Sequence, residues 1–258
     1  MKLIFKKILK YYLKIITKLV LLIHRPIIIG IAGSTNKTFT KNAIVENLKK
    51  ENIDVRANPK SFNTEIGMPL AILNLKSGYN SYKNWIPAII KAPKCIFQKK
   101  FPKVLVLELG ISDPGDMKYL ISIAKPKIAI ITEITQRYLE GFGDMDKLSG
   151  EYEYLIKNMP KDGLVLLNND NSKVKLLSKF TKCNVQLFGV GEGANWQAIQ
   201  KLEDDTGQIL ILKNSESEKE IKINKHGQHH IYSSLISLIV NKHVQENLGE
   251  KIQQKQGI

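Results

Sequence analysis

The stretch IIIGIAGSTNKTFTKNAIVENLKK, residues 27 to 50, decides how this chain folds. It begins with an apolar run typical of a buried strand, passes through a loop of small and polar residues, and continues as a helical pattern. Such a loop, followed by Lys37 and Thr38 at the start of a helix, has the outline of a phosphate-binding loop. The residues that we expect to hold a nucleotide there are Gly33, Ser34, Thr35, Asn36, Lys37 and Thr38.

Asn36 stands where such a loop normally has a second glycine. Glycine suits that place because the backbone can adopt a positive φ and let the phosphates approach closely. Asparagine is among the other residues that best tolerate the left-handed region, at a cost of order 1 kcal/mol. We therefore expect the loop to bind nucleotide despite the substitution.

Length, charge and cysteine content limit the class of protein. The chain has 258 residues and a formal net charge of +15, which predicts one main domain with appendages. Residues 1 to 45 carry nine Lys and Arg residues and no acid, so the basic character is mostly N-terminal. Neither an aromatic-interleaved basic stripe nor a zinc-ligand spacing occurs, so nucleic acid is not an expected partner. Cys95 and Cys183 are too few for a disulfide framework and favour a cytoplasmic protein.

The first 25 residues predict a basic amphipathic helix. Lysines interrupt its apolar residues, so no run approaches the ~20 apolar residues that a membrane span needs. No small-residue cleavage site follows, which argues against a signal peptide. One hypothesis lays the helix on the anionic inner face of the cytoplasmic membrane, and another docks it on the protein's own core or on a partner. The predicted apolar face comprises Ile4, Phe5, Ile8, Tyr11, Tyr12, Ile15, Ile16, Leu19, Leu22 and Ile23.

Apolar runs and helical patterns alternate from residue 27 onward. The predicted strands are 27–32, 104–109, 127–132, 163–167 and 184–188. The predicted helices between and after them are 38–50, 66–75, 114–124, 146–158 and 171–179. This alternation predicts an α/β fold with a mostly parallel sheet wound on both faces. The site should then lie at the carboxyl ends of the strands.

The pattern changes after Gly189. Three short segments, 196–201, 208–213 and 220–223, predict a small antiparallel sheet, and a helix follows over about 231–240. We therefore divide the chain into three parts. They are the N-terminal helix over 1–25, the nucleotide-binding domain over 26–240 and a polar tail over 241–258, for which a continuing helix is the alternative.

Five separate stretches carry motifs in a fixed order. They are GSTNKT (33–38), SFNTEIGMPLAIL (61–73), VLELGISDPGDMKYL (106–120), LNNDN (167–171) and GQHHIYSSL (227–235). Together they resemble the central ATP-binding domain of the Mur ligases, the amide-forming enzymes that build the peptidoglycan stem peptide. The second stretch resembles a motif of the family member that adds D-alanyl-D-alanine to the tripeptide precursor. The resemblance covers roughly residues 27 to 240.

The resemblance implies a reaction and its cofactors. Such a ligase moves the γ-phosphoryl group of ATP onto a carboxylate of a UDP-linked muramoyl peptide, and an amine then displaces phosphate from the acyl phosphate. Lys37 would reach the β- and γ-phosphates while backbone N–H groups of the loop cradle them. Thr38 and Glu108 would hold Mg²⁺. The alternative for Glu108 is a carboxylate paired with a lysine at the sheet edge.

The resemblance also implies where the rest of the ligands bind. It places His229 beside the adenine of ATP. It assigns contacts with the peptidoglycan precursor to Asn63, Thr64 and Glu65.

Several positions depart from the family's pattern. An asparagine and a metal-binding histidine of the family correspond to Glu133 and Tyr138 in this chain. His229 matches in the adenine stretch, but two asparagines have become His230 and Ser233. The adenine pocket has thus lost amides that both donate and accept hydrogen bonds. We expect weakened specificity for ATP and weak binding of any second metal.

Glu151 stands where the family has a carbamylated lysine. A glutamate offers a carboxylate without any modification. One hypothesis therefore gives Glu151 a catalytic role at the metal, directly or through a water. The other makes it an ordinary solvated residue of the predicted helix 146–158.

Two family modules have no counterpart within residues 1–258: the uridine-nucleotide domain at the N-terminus and the closing domain at the C-terminus. We expect a partner chain to supply them if the full reaction takes place. Three functions remain open. The chain is a Mur-ligase-like enzyme or ATP-binding subunit near the membrane, a non-catalytic nucleotide-binding or scaffold protein, or a P-loop NTPase of another purpose.

Overall fold

The structure is a computed structural model that describes residues 3–59 and 62–256, except for the side chains of Tyr138 and of residues 250–256. Its helices are α1 Leu3–His24, α2 Lys37–Lys50, α3 Gly67–Leu73, α4 Tyr82–Lys91, α5 Asp116–Ile123, α6 Leu139–Phe142, α7 Met145–Lys157, α8 Ser172–Leu176 and α9 Gln228–Gln256. Its strands are β1 Ile27–Ala32, β2 Val55–Ala57, β3 Val104–Glu108, β4 Ile128–Ile131, β5 Leu164–Asn168, β6 Asn184–Gly189, β7 Trp196–Asp204, β8 Gly207–Lys213 and β9 Glu218–Ile223.

The strands form one sheet across the described residues, in the order β2-β3-β1-β4-β5-β6-β7-β8-β9. Neighbouring strands are parallel from β2 to β7, whereas β7, β8 and β9 are antiparallel. The mostly parallel α/β sheet is thus confirmed. The pairing of Phe188 with Trp196 joins β6 to β7, so the predicted antiparallel sheet is a continuation of the main sheet.

Apolar layers cover both faces of the sheet, as the alternation of strands and helices predicts. Side chains alternate along a strand, so Ile29 and Ile31 belong to one layer and Ile28 and Ala32 to the other. Helices α2 and α9 pack in the first layer. Helices α3, α5, α7 and α8 contribute to the second.

Helix α1 docks on the domain through a third apolar cluster. Leu9, Leu13 and Val20 are buried there against Leu70 of α3 and Trp85 of α4. Most of the predicted apolar face is instead exposed, because α1 carries more apolar residues than one docking surface can cover. No helix in the described part of the chain is both long enough and apolar enough to cross a bilayer.

The structure departs from the predicted elements in several places. Strand β2 escapes prediction because it has only three residues, and α4 because Pro87 lies inside it. Helix α9 continues to Gln256, well past the predicted end near residue 240. Val244 is fully buried in the layer of α2 and α9, which explains why the helix persists.

Candidate nucleotide-binding site

The loop over residues 33–36 joins β1 to α2 at the carboxyl end of β1. Strands β3 and β4 flank β1, with Glu108 opposite Ile31 and Ile131 opposite Ala32. The order of the strands along the chain reverses on either side of β1. Open parallel sheets bind ligands in the crevice at such a point. The structure therefore confirms that the loop lies at the carboxyl ends of the strands.

Gly33 has a backbone that favours glycine. Its φ is +132°, and a Cβ built there would collide with Thr132 Oγ1. The backbone N and O atoms of Glu133 would each lie only 3.0 Å from the same Cβ. A side chain at this position is excluded both by strain and by space.

Hydrogen bonds tie the loop to the segment after β4. Ser34 N donates to Glu133 O at 2.7 Å, and Thr135 N donates to Ser34 Oγ at 3.0 Å. Thr132 Oγ1 donates to Thr35 O at 2.6 Å, and Thr35 Oγ1 donates to Glu133 Oε2. Glu133, which replaces the family's asparagine, therefore fixes the loop through both its backbone and its side chain. The sequence did not assign this role.

Asn36 is the residue before the first turn of α2. Its φ of 62° and ψ of 2° lie in the left-handed region, as expected for a residue that stands in the place of glycine. Thr40 N donates to Asn36 O at 3.1 Å, which starts the helix. The N–H groups of the first turn of a helix lack intrahelical partners and attract anions. The left-handed backbone expected before α2 is thus present at Asn36.

Lys37 lies over the loop. Its Nζ donates to Gly33 O at 2.5 Å. Burial lowers the pKa of Lys37, and the nearby Arg137 lowers it further, while Glu108 opposes the shift. An ammonium group that has lost hydration favours an anion such as phosphate as its partner.

Glu108 joins two residues of α2 at the end of β3. Its Oε1 forms an ion pair with Lys41 Nζ at 2.8 Å, and its Oε2 accepts a hydrogen bond from Thr38 Oγ1 at 3.2 Å. Lys41 Nζ also donates to Asn58 O at 2.9 Å. The lysine-paired alternative for Glu108 is therefore observed, and its role as a Mg²⁺ ligand stays a prediction. Lys41, one turn after Lys37, was missed although that spacing puts both on one helix face.

The oxygens of Thr38 and Glu108 fit Mg²⁺. This ion commonly binds one or two protein oxygens together with phosphate oxygens and water. A carboxylate has about four lone-pair sites, so the ion pair with Lys41 does not exhaust Glu108. The described residues hold no group of three or more His, Cys, Asp or Glu side chains placed for a metal. Phosphate oxygens would have to complete the set.

Aromatic rings lie beside the loop. Phe39 of α2 contacts His229 and His230 of α9, with ring centroids 4.6 and 5.3 Å apart. Burial, together with His229 and Lys225, lowers the pKa of His230. The shift favours the neutral imidazole of His230. The arrangement suits stacking of a base, although Phe39 was not among the predicted residues.

Glu151 caps another helix. Its Oε1 accepts from Gly115 N at 2.7 Å and its Oε2 from Met117 N at 2.8 Å, at the start of α5. A carboxylate at a helix N-terminus is a favourable cap. The structure thus gives Glu151 a local structural role, and its proposed role at the metal stays a prediction. The side chain of Tyr138, the other metal-site departure, lies outside the described atoms.

Asn63, Thr64 and Glu65 lie in the segment before α3. Asn63 O accepts from Gly110 N at 3.0 Å, which holds this segment close to the end of β3. Glu65 faces α1, where Lys6 Nζ and Lys10 Nζ are 3.5 and 3.8 Å from its Oε1. A cavity of about 440 Å³ opens beside them, and its lining includes Thr64, Glu65, Trp85, Gly110 and Tyr119. The short run from Glu108 to Gly110 connects this cavity with the loop site.

Residues 31–241 match a family model described as the Mur ligase middle domain. The UDP-N-acetylmuramoyl-tripeptide--D-alanyl-D-alanine ligase of Bacillus subtilis is 23% identical over 211 residues, which are 82% of this chain and 40% of that protein. The ligase of the same name from Mycobacterium tuberculosis is 25% identical over 214 residues, which are 83% of this chain and 37% of that protein. The chain thus spans about two fifths of the length of these relatives.

Solved structures share the fold. MurF from Acinetobacter baumannii aligns with a TM-score of 0.71 at 17% identity and covers 89% of this chain and 45% of that one. MurF ligase from Thermotoga maritima, solved in complex with ADP, aligns with a TM-score of 0.67 at 21% identity and covers 89% and 49%.

Proposed function

The chain belongs to the Mur ligase family through its middle domain, and on this basis we propose that it binds ATP with Mg²⁺ at the loop over residues 33–38. The observation that carries the proposal is the geometry of that loop. Asn36 keeps the left-handed backbone, Lys37 Nζ donates back to Gly33 O, and Thr38 Oγ1 donates to Glu108 at the end of β3. The charge of Lys37, the N-terminus of α2 and the proposed metal ligands Thr38 and Glu108 therefore lie together at the loop.

Each loop element has a separate task in this proposal. Backbone N–H groups at the start of α2 bind phosphate oxygens, and Lys37 neutralises charge between the β- and γ-phosphates. Thr38 and Glu108 hold Mg²⁺, which supplies further charge neutralisation during phosphoryl transfer. Lys41 orients the buried carboxylate of Glu108. Phe39 and His229 support the adenine ring.

The substrate in this proposal is a peptidoglycan-type precursor, a UDP-linked muramoyl peptide. The support is the cavity beside Thr64 and Glu65, which the run from Glu108 to Gly110 connects with the loop. The reaction is ATP-dependent amide formation, in which the substrate carboxylate first receives the γ-phosphoryl group. Glu151 is the residue that we would test for a part in this chemistry. A partner chain that contributes further ligase domains belongs to the same proposal.

The second candidate function is a non-catalytic nucleotide-binding protein. Both carboxylate oxygens of Glu151 accept hydrogen bonds from the backbone of α5, which favours a structural role for this residue. The amides that the family uses beside adenine are also replaced by His230 and Ser233. Nucleotide binding without turnover is the expected behaviour under this alternative.

We place this function in the cytoplasm, on the inner face of the cytoplasmic membrane. The support is α1, whose solvent-facing side carries apolar residues and lysines. Its lysines suit anionic headgroups at that surface.

Phosphate release from ATP tests the proposal. The protein is mixed with ATP, Mg²⁺, a UDP-linked muramoyl tripeptide and D-alanyl-D-alanine, and each component is omitted in turn. Release that needs both the muramoyl peptide and the amine supports ligase chemistry. ATP binding without release supports the non-catalytic alternative. Release without the muramoyl peptide, or no ATP binding at all, contradicts the proposal.

A further inference from the structure

Helix α1 has two apolar faces, and only one of them is docked. The docked face carries Leu9, Leu13 and Val20. On the opposite side of the helix lies a second set of apolar residues, which fall within an arc of about 80° when successive residues are 100° apart. Its exposed fractions run from 41% to 72%, so large side chains face solvent. This α1 stripe comprises Ile4, Ile8, Tyr11, Ile15, Leu19 and Leu22.

Helix α4 extends the exposed apolar surface beside α1. The rings of Phe5 and Tyr82 meet at 4.9 Å, and Tyr12 Oη donates to Ile89 O at 2.7 Å, so the two helices touch at both ends of α4. Tyr82, Ile86 and Ile90 recur every four residues and are 46%, 53% and 57% exposed. They form the α4 stripe. Tyr82 contacts Phe5 of α1, so the α4 stripe begins beside α1.

The two helices come from the parts of the chain that have no acidic residue. Residues 1 to 45 contain none, and neither do residues 66 to 107, which carry seven lysines. On α1, Lys7 and Lys18 border the apolar stripe along one side at helical spacing, whereas Lys14 Nζ turns to α5 and donates to Ser122 Oγ at 2.6 Å. Among the described residues, the acid paired with α1 is Glu65, which lies near Lys6 and Lys10. The pKa of Lys14 is lowered by burial and by its neighbours Lys18 and Lys10, as in a crowded cationic row.

The exposed apolar stripes and the lysines beside them indicate which kind of partner would cover this surface. A second copy of a chain with a net charge of +15 would bring another cationic row against this one. An anionic bilayer offers both complements at once, acyl chains for the stripes and headgroups for the lysines. Because α1 is docked through Leu13, it would lie on the bilayer as part of the folded domain and not as a loose tether.

We propose that α1 and α4 together form one surface that binds the face of an anionic phospholipid bilayer. We call it the two-helix surface, and it comprises the α1 stripe, the α4 stripe and the bordering lysines. This inference does not rest on the proposed ATP-dependent function. It adds α4, which a membrane-bound helix acting alone would not need.

Vesicle flotation of the full chain tests the inference. The vesicles are phosphatidylcholine alone or phosphatidylcholine with phosphatidylglycerol. The paired variants are Ile8→Gln with Ile15→Gln on α1, and Ile86→Gln with Ile90→Gln on α4. Each pair should weaken partitioning by at least about tenfold, because isoleucines lose their contact with acyl chains. A matched control, Ile199→Gln with Leu202→Gln, changes exposed residues of β7 and should bind like the wild type.

Charge is tested separately. Lys7→Gln with Lys18→Gln should weaken binding to the anionic vesicles, and added salt should do the same. Lys49→Gln with Lys50→Gln on α2 is the control and should have a smaller effect. Lys37→Ala should bind vesicles normally, which separates this inference from the nucleotide site.

Three results would overturn the inference. If the variant with Ile86→Gln and Ile90→Gln bound vesicles as tightly as the wild type, α4 would not be part of the membrane-binding surface. Equal binding to neutral vesicles would remove the role of the lysines. A concentration-dependent dimer that loses its association in the α1 and α4 pairs, with no vesicle binding, would make a second copy the occupant. A melting curve for each variant confirms that loss of binding is not loss of folding.

Discussion

The candidate nucleotide-binding site and the two-helix surface differ in where they place their polar and apolar side chains. At the site, polar side chains turn inward. Ser34 of the loop is 1% exposed and Glu108 at the end of β3 is 6% exposed, and each has hydrogen-bond partners. On the surface, apolar groups turn outward, with Ile4 at 72% and Ile8 at 63% exposed. Buried polar groups need partners within the protein, and exposed apolar groups gain most from a partner outside it.

This difference separates what local sequence can and cannot determine. The loop depends on particular residue types at particular places, such as Gly33 with its positive φ. Helix α1 depends instead on which of its apolar residues meet the domain. Leu9, Leu13 and Val20 are buried because they contact α3, α4 and the segment around Cys95. The helical pattern of apolar residues alone does not show which of them will be buried.

The largest effect is expected for Glu108→Ala. It leaves the buried ammonium of Lys41 without its carboxylate, and breaking a buried pair costs about 3 to 5 kcal/mol. Urea unfolding measures the change. Glu46→Ala is the control, because its pair with Lys50 on the same helix is exposed and contributes less than about 1 kcal/mol. Equal losses in both variants would show that the Glu108 pair is not buried.

Leu13→Ala comes next and tests the docking of α1. Leu13 is fully buried, so truncation should cost about 2 to 5 kcal/mol in unfolding free energy. Ile15→Ala, two residues away and 59% exposed, should change stability by no more than about 0.5 kcal/mol. Similar values for the two variants would mean that α1 does not pack as described.

Gly33→Ala is expected to disturb the loop at smaller cost. A Cβ at φ +132° collides with Thr132 and strains the backbone by about 1 to 3 kcal/mol, so ATP affinity should fall along with stability. Gly150→Ala is the control, since space is open around its Cβ within α7. That variant should be neutral or stabilising by up to about 1 kcal/mol. Unchanged ATP affinity in Gly33→Ala would exclude the loop from the site.

The smallest effect is expected at Asn36. Because Asn36 holds the left-handed region at φ 62°, Asn36→Gly should stabilise the fold by less than about 1 kcal/mol. Asn42→Gly, in the regular part of the same helix, should instead destabilise it by a few tenths of a kcal/mol, roughly. Thermal melts measure whether each variant is more or less stable than the wild type. A change in stability of the same sign in both variants would contradict a strained left-handed backbone at Asn36.

The sequence predicted the main strands and the loop because their signals are local. Apolar runs such as 104–109 are buried on both sides, and Lys37 and Thr38 follow the loop at a fixed spacing. It did not predict Lys41 or Glu133, whose roles depend on segments brought together by the sheet. The capping role of Glu151 likewise depends on the packing of α7 against α5. Such partners are tens of residues apart, where periodicity carries no information.

Titration calorimetry of ATP with Mg²⁺ tests the central claim most directly. The account predicts that the wild type binds, that omission of Mg²⁺ weakens binding, and that Lys37→Ala reduces affinity by more than about 100-fold, as expected for a lost charge-assisted contact with two phosphates. Lys49→Ala, an exposed lysine at the end of the same helix, should bind like the wild type. Equal affinity of Lys37→Ala and the wild type, or binding that ignores Mg²⁺, would contradict the claim that this loop holds the nucleotide.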